Sequence, residues 1–157
     1  MLKPKWKLLV ICVLIPLAVG GLSAWLVSGS MDTFESLNKP PLSPPGWLFP
    51  VVWTILYALM GIASYLVLIA EADRRQTRQA LGLYAVQLGV NFIWPILFFG
   101  LSWYGISLLW LLLLWLLVLV TTIRFYRISP KAGDLMLPYL LWITFAAYLN
   151  FGIYRLN

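Results

Sequence analysis

Indole and amide side chains set within long apolar runs are the residues of this sequence that could do chemistry. Trp53, Trp94 and Trp142 each lie in such a run close to a proline, and Gln87 and Asn91 are four residues apart, so they share one helix face. Indole N–H and amide groups need hydrogen-bond partners in apolar surroundings. The pattern indicates side chains that point into a helix bundle, towards another helix or a ligand.

Two explanations for the amides stay open. Hydrogen bonding between helices is a sufficient reason for an amide in a membrane helix, and Asn150 offers a similar group in the last apolar run. Polar groups inside a membrane also often mark a ligand site, so Asn91 could serve both purposes. Five other tryptophans are interpreted as interfacial belts: Trp6, Trp25, Trp47, Trp103 and Trp110.

The absence of histidine removes most familiar catalytic chemistry. No imidazole base, Ser-His-Asp arrangement or histidine metal ligand is possible, and no metal site is predicted. The single Cys12 cannot form an intrachain disulfide. All five carboxylates lie outside the apolar runs, which disfavours ion-coupled transport. The net charge of +6 needs no nucleic-acid partner, because basic residues beside apolar runs suit anionic lipid headgroups.

The elements that must position these groups are membrane-spanning helices. Of the 157 residues 62% are hydrophobic and 10% charged, and a helix needs about 20 apolar residues to cross a bilayer. No alternation typical of a β-barrel is present. We expect one all-α domain over 1–157, with five spans near 8–28, 48–70, 80–99, 104–125 and 135–154.

The segment between the first two spans is unusually stiff. From Lys39 to Trp53 it is dense in proline, and each proline fixes φ and restricts the residue before it. A stiff apolar segment is not an ordinary linker. We interpret it as a lid over a ligand pocket.

The distribution of basic residues predicts orientation. Nine of the eleven Lys and Arg residues fall on one side: Lys3, Lys5, Lys7, Arg74, Arg75, Arg78, Arg124, Arg127 and Lys131. Only Lys39 and Arg155 fall on the other side. Because positively charged loops stay cytoplasmic, the amino terminus is expected inside and the lid and carboxyl terminus outside. A bacterial inner membrane is the expected location, with an outer membrane as the alternative.

Five blocks, in order, make the chain similar to the TspO/MBR family, the tryptophan-rich sensory and translocator proteins also known as peripheral-type benzodiazepine receptors. They are Gly20-Gly21, Lys39-Pro40 with Pro44-Pro45, Val52-Trp53-Thr54, Gln87-Leu88 with Asn91 and Trp94, and Pro138-Tyr139-Leu140 with Trp142. The chain resembles a bacterial-type member. The chain departs from the family pattern in three places. Leu42 stands where a lid tryptophan is usual, and Thr33-Phe34 stands where Trp-Tyr is common. Phe151 replaces the tyrosine of the cholesterol motif, so tight sterol binding is not expected.

The resemblance implies five helices around a pocket closed by the first loop. The implied ligands are porphyrins such as protoporphyrin IX and hydrophobic drugs of the isoquinoline carboxamide and benzodiazepine classes; no cofactor is required. The implied ligand-binding residues are Ala24, Val27, Pro44, Pro45, Trp53, Asn91, Trp94, Trp142, Ala146 and Leu149.

Three function classes follow from the resemblance and the residues. The favoured one is a tetrapyrrole-binding receptor, sensor or transporter. The second is a porphyrin-degrading enzyme, because Trp53 and Trp142 match the pair that the resemblance links to light- and oxygen-dependent porphyrin breakdown. The third is a structural or lipid-interacting protein whose tryptophans anchor it in the membrane.

The resemblance also implies a homodimer. Gly82, Ala85 and Gly89 are small residues at helical spacing, which lets two helix backbones approach closely. Packing within the monomer explains the same pattern equally well.

Overall fold

The computed structural model describes residues 5–157, and the regular structure of that part is helical. The helices are α1 (Trp6–Leu26), α2 (Met31–Glu35), α3 (Leu48–Ile69), α4 (Arg74–Pro95), α5 (Tyr104–Ile128) and α6 (Pro130–Leu156). A 3-10 turn covers Ser28–Ser30, and a π-helical segment, Ile96–Gly100, continues α4. All but the short α2 are long and apolar enough to cross a membrane, which confirms the predicted all-α bundle of five spans.

Two of the spans begin earlier than the apolar runs predict. α4 starts at Arg74 rather than near residue 80, and arginine is a good helix former. α6 starts at Pro130 rather than near residue 135. Ser129 caps it by accepting a hydrogen bond from the Ala132 backbone N–H at 3.4 Å, and proline suits the first helical position. An apolar run therefore marks the membrane-embedded part of a helix, while the helix itself continues beyond it.

The five long helices pack so that α1 lies on α3, α3 on α6, α6 on α5 and α5 on α4. Large side chains such as Met60, Leu111, Met136 and Tyr139 are fully buried between them. Many other large apolar side chains cover the outside of the bundle, as a lipid environment requires. Of the five tryptophans assigned to interfacial belts, four are exposed: Trp6, Trp25, Trp47 and Trp103. Trp110 is only partly exposed, and its indole N–H donates to the Val90 carbonyl of α4 at 2.7 Å, so it packs between helices.

A chain of buried hydrogen bonds joins three of the helices. The Tyr57 hydroxyl of α3 donates to Asn91 Oδ1 of α4, and Asn91 Nδ2 donates to the Tyr139 hydroxyl of α6. Tyr139 in turn donates to Gln87 Oε1, and all three bonds measure 2.7 Å. These four side chains are buried inside the bundle, where water cannot pair with them. Each bond therefore satisfies a donor and an acceptor that would cost free energy if they were left unpaired.

The end of α4 departs from α-helical geometry. Pro95 has no N–H to donate, and the following residues form the π-helical segment, in which the Leu101 N–H donates to the Ile96 carbonyl. The Ser23 hydroxyl of α1 donates to the Phe92 carbonyl at 2.8 Å. A side chain of a neighbouring helix thus reaches the α4 backbone near its irregular end.

The backbones of α1 and α3 approach closely at Gly61. A Cβ at this position would lie 2.6 Å from both the Cys12 carbonyl oxygen and the Val13 Cα. Both are backbone atoms, so they cannot rotate away. Only glycine allows the two helices to pack at this distance.

We therefore expect Gly61→Ala to force α1 away from α3 and to lower the free energy of unfolding by about 2 kcal/mol, as overpacking does elsewhere. Thermal unfolding in detergent, followed by circular dichroism, measures the change. Gly21→Ala is the matched control, because a Cβ at Gly21 meets nothing within 4 Å. Equal midpoints for the two variants would contradict the packing argument.

Candidate functional site

An apolar chamber of about 290 Å³ opens among α1, α3 and the end of α4. We call it the α1 chamber. None of its lining residues is charged, and its volume is near the lower end of the range for ligand pockets. It is lined by Gly20, Ala24, Val27, Ser28, Met31, Phe49, Pro50, Trp53, Tyr57, Trp94, Pro95 and Phe99. Of the sequence-predicted site residues, Ala24, Val27, Trp53 and Trp94 therefore share this chamber.

The α3 wall of the chamber follows a helical repeat. Phe49, Trp53 and Tyr57 are spaced four residues apart, so their rings lie on one face of α3. The rings of Trp53 and Tyr57 stack with centroids 5.5 Å apart. Phe49 and Tyr57 were missed as site residues, although their spacing from Trp53 was a signal that could have identified them.

Gly20 of α1 makes room for the Tyr57 ring. A Cβ at Gly20 would lie 2.1 Å from Cε2 of Tyr57, so the ring rests directly against the α1 backbone. The Tyr57 hydroxyl is held by Asn91, as described above. Asn91 itself does not line the α1 chamber: it is buried, and both of its amide atoms bond to tyrosines. Its contribution to the chamber is to fix Tyr57, on which Trp53 stacks.

Trp94 is fixed by a second buried amide. Its indole N–H donates to Asn150 Oδ1 at 3.1 Å, and Asn150 Nδ2 donates to the Tyr104 carbonyl at 2.8 Å. The Ser107 hydroxyl lies 3.1 Å from the same Asn150 oxygen. The Trp94 ring also stacks on Phe98 at 5.0 Å, so its orientation is determined from two sides.

A second, much smaller cavity lies beside the first and reaches α6. We call this space of about 10 Å³ the α6 chamber. It is lined by Phe34, Ser43, Phe49, Trp94, Phe98, Phe99, Ala146, Leu149, Asn150 and Ile153. The two spaces thus contain six of the ten sequence-predicted residues, with Ala146 and Leu149 in the second space and Trp94 in both.

Trp142 lines neither chamber. Its ring packs against Phe49 at 5.9 Å and against Phe145 at 5.6 Å. Its indole nitrogen is buried and has no acceptor among the described residues. Trp53 and Trp142 therefore do not meet in one cavity, although Phe49 links them: it shares the α1 chamber with Trp53 and contacts Trp142.

The first loop (residues 27–47) is fastened to the end of α6. The side chain of Asn157 accepts from the Asn38 N–H at 3.1 Å and donates to the Asn38 carbonyl at 2.8 Å. The Tyr148 hydroxyl donates to the Pro41 carbonyl at 2.7 Å. Gly152 lies so close to the Pro40 ring that a Cβ would be 2.5 Å from its Cγ.

The expected lid contacts are divided unevenly along this loop. Its first half supplies Val27, Ser28 and Met31 to the α1 chamber, and Phe34 and Ser43 line the α6 chamber. The predicted ligand residues Pro44 and Pro45 line neither chamber. Leu42 is 84% exposed and has a φ of 69°, in the left-handed region, so it points away from the bundle at a tight turn.

The small residues of α4 face outward. Gly82, Ala85 and Gly89 are all exposed, and a Cβ at either glycine would meet nothing within 4 Å. The stripe therefore makes no close packing contact within the described chain. Its neighbours on the same face include the exposed Val86.

These features define a class: a five-span helical membrane protein with an aromatic chamber beside its first loop. The family model described as the TspO/MBR family matches residues 12–155, and the chain belongs to that family. It is 39% identical over 150 residues to "Tryptophan-rich protein TspO" of Chlorobaculum tepidum, covering 95% of each chain. It is 37% identical over 156 residues to "Translocator protein" of Sus scrofa, covering 98% of this chain and 92% of the relative. A "Tryptophan-rich sensory protein" of Cereibacter sphaeroides is 41% identical over 126 residues, which are 80% of this chain and 77% of the relative.

The fastening of the first loop gives a prediction about its motion. Tyr148→Phe removes the bond to the Pro41 carbonyl, and Asn157→Ala removes both bonds to Asn38. One hydrogen bond contributes about 1 kcal/mol, so we expect about fivefold faster amide exchange in the loop for Tyr148→Phe, and a larger increase for Asn157→Ala.

Hydrogen–deuterium exchange with mass spectrometry of the loop peptide measures this effect. Tyr154→Phe is the matched control, because the exposed Tyr154 hydroxyl makes no hydrogen bond within the described chain. If the loop exchanges at the wild-type rate in Tyr148→Phe and Asn157→Ala, the loop is held by other contacts.

Proposed function

We propose that this protein is a membrane receptor or sensor that binds a tetrapyrrole such as protoporphyrin IX in the α1 chamber. The observation that carries the proposal is the placement of two indole side chains, Trp53 and Trp94, in the wall of one uncharged cavity. Flat apolar rings gain from stacking on such faces. Relatives named as sensory and translocator proteins support a ligand-responsive role.

Smaller hydrophobic drug-like molecules also suit this chamber, since a volume near 300 Å³ is at the lower end for ligand pockets. A four-ring macrocycle is a large occupant for such a space. We propose binding rather than porphyrin breakdown, because Trp142 does not line the chamber that contains Trp53. The sequence also offers no imidazole for proton transfer.

The tetrapyrrole proposal is tested by titrating purified protein in lipid nanodiscs with protoporphyrin IX while following tryptophan fluorescence. We expect saturable quenching. Trp53→Leu keeps an apolar side chain but removes the flat ring, so we expect the affinity to fall about tenfold, the upper range for one aromatic stacking contact.

Trp25→Leu provides the matched control, because Trp25 is 70% exposed and lies outside both chambers. We expect its affinity to equal that of the wild type. Quenching of the wild type that rises linearly without saturation would indicate partition into lipid and would remove the binding proposal.

We also propose an orientation and a location. Successive long helices run in opposite directions, so the start of α1, the start of α4 and the end of α5 lie on the same side of the bundle. This side carries Lys5, Lys7, Arg74, Arg75, Arg78, Arg124 and Arg127, whereas Lys39 and Arg155 lie on the other side. By the positive-inside rule the amino-terminal end faces the cytoplasm and the first loop faces out, in a bacterial inner membrane. Lys3, which contributed to this prediction, lies outside the described residues.

A homodimer through α4 is the proposed assembly. The exposed stripe of Gly82, Ala85 and Gly89 leaves the α4 backbone open to close approach by a second α4. In lipid, helix association depends on such close van der Waals packing rather than on hydrophobic burial.

We expect Gly82→Leu and Gly89→Leu to shift the protein from dimer to monomer, because a leucine side chain keeps the backbones apart. Light scattering in detergent or mass photometry in nanodiscs measures the shift. Gly21→Leu on α1 is the matched control, since Gly21 is also exposed with open space around it. A monomeric wild type would contradict the assembly.

A further inference from the structure

The wall between the two chambers is aromatic. Phe49, Trp94 and Phe99 are the residues that line both the α1 chamber and the α6 chamber, so they separate the two spaces. On the α6 side of this wall lie Ala146 and Leu149. Trp142 of α6 contacts the Phe49 ring. A ligand in the α1 chamber reaches the α6 side only if one of the three side chains moves.

Two of the three are held firmly. Trp94 is buried, bonded to Asn150 through its indole N–H and stacked on Phe98. Phe99 makes edge contacts with three rings, Phe34, Trp94 and Phe98, at 4.8 to 5.9 Å.

Phe49 is held less firmly. It is half-buried, occupies the first turn of α3 directly after the first loop, and makes edge contacts with two rings. These contacts are to Phe34 at 5.5 Å and to Trp142 at 5.9 Å, both T-shaped. Aromatic pairs of this kind contribute only modest free energy beyond their burial, so a rotation of Phe49 breaks little.

We propose that Phe49 is an internal gate that joins the two chambers when a large planar ligand binds. The inference rests on the proposed function, because the ligand in question is a tetrapyrrole. Rotation of Phe49 extends the α1 chamber towards Ala146 and Leu149 and breaks the edge contact that Phe49 now makes with the Trp142 ring.

The gate makes ligand size the basis of selection. A small apolar molecule occupies the α1 chamber with Phe49 in place, whereas a macrocycle binds only the fraction of molecules in which the gate is open. The apparent affinity and the association rate for the macrocycle therefore decrease in proportion to that fraction. Residue size at position 49 sets the rate at which tetrapyrroles enter.

The test is a stopped-flow measurement of the association rate constant of protoporphyrin IX with the full chain in nanodiscs. We expect Phe49→Ala to associate about tenfold faster than the wild type, because the barrier side chain is gone, and Phe49→Leu to fall between them. Phe49→Trp enlarges the gate, so its association is expected to be slower. If the substitutions only destabilised the protein, the association rate would not increase for smaller side chains and decrease for a larger one.

Phe145→Ala and Phe145→Trp form the matched series. Phe145 lies on α6, like Trp142, and contacts the Trp142 ring, but it lines neither chamber. We therefore expect protoporphyrin IX to associate with both Phe145 variants at the wild-type rate. Circular dichroism confirms that each variant folds, and Phe49→Leu carries the test if the alanine variant does not.

Equal association rates for Ala, Phe and Trp at position 49 would overturn the gate while leaving tetrapyrrole binding intact. The gate would also be overturned if the alanine and tryptophan variants of Phe145 changed the association rate as much as those of Phe49. A wild type that shows no saturable porphyrin binding would instead remove the proposed function, so the two failures are distinguishable.

Discussion

The structure depends on satisfying buried polar groups where no water is available. Asn91 joins Tyr57 of α3 to Tyr139 of α6, and Asn150 joins Trp94 of α4 to the backbone of α5. Apolar side chains alone do not drive helices together in lipid, so these two amides help to specify which helices are neighbours and in which register. They also determine where the aromatic rings of the chamber stand, although neither amide has to touch a ligand to do so.

Much of the fold could be predicted because the bilayer imposes simple rules on the sequence. Apolar runs of sufficient length required helices, and the location of the carboxylates outside those runs left aromatic and amide chemistry for the interior. Asn91 and Gln87 were correctly placed on one helix face, since both bond to Tyr139. The structure shows the bonding between helices that one explanation for Asn91 requires, and ligand contact at Asn91 stays a prediction.

The division of the site into two chambers could not be read from the sequence. It depends on how Phe49, Trp94 and Phe99 pack against one another, and residue spacing does not determine side-chain rotamers between helices. The separation of Trp142 from Trp53 has the same origin. Spacing placed each indole in a helix, but only the packed bundle shows that Phe49 lies against Trp142 while sharing a chamber with Trp53.

The first loop is a structural part of the bundle as well as a cover. Its short helix α2 inserts Phe34 among Phe49, Phe98 and Phe99, and Lys39 holds the end of that helix through the Glu35 carbonyl at 2.9 Å. The Lys39 ammonium also lies 5.0 Å from the centre of the Phe34 ring. The proline-rich half then runs to α6. Phe34 therefore belongs both to the first loop and to the lining of the α6 chamber, so displacement of the loop disturbs that chamber.

The π-helical segment after Pro95, Ile96–Gly100, sets the rotational phase of the two aromatic residues that it contains. A single extra residue in a helix turns everything downstream by about 100°. The orientation of Phe98 and Phe99 towards the chambers therefore depends on this one irregularity. A homologue with one residue fewer between Trp94 and Gly100 would direct different side chains inward, even if every aromatic position in its sequence could be aligned with this one.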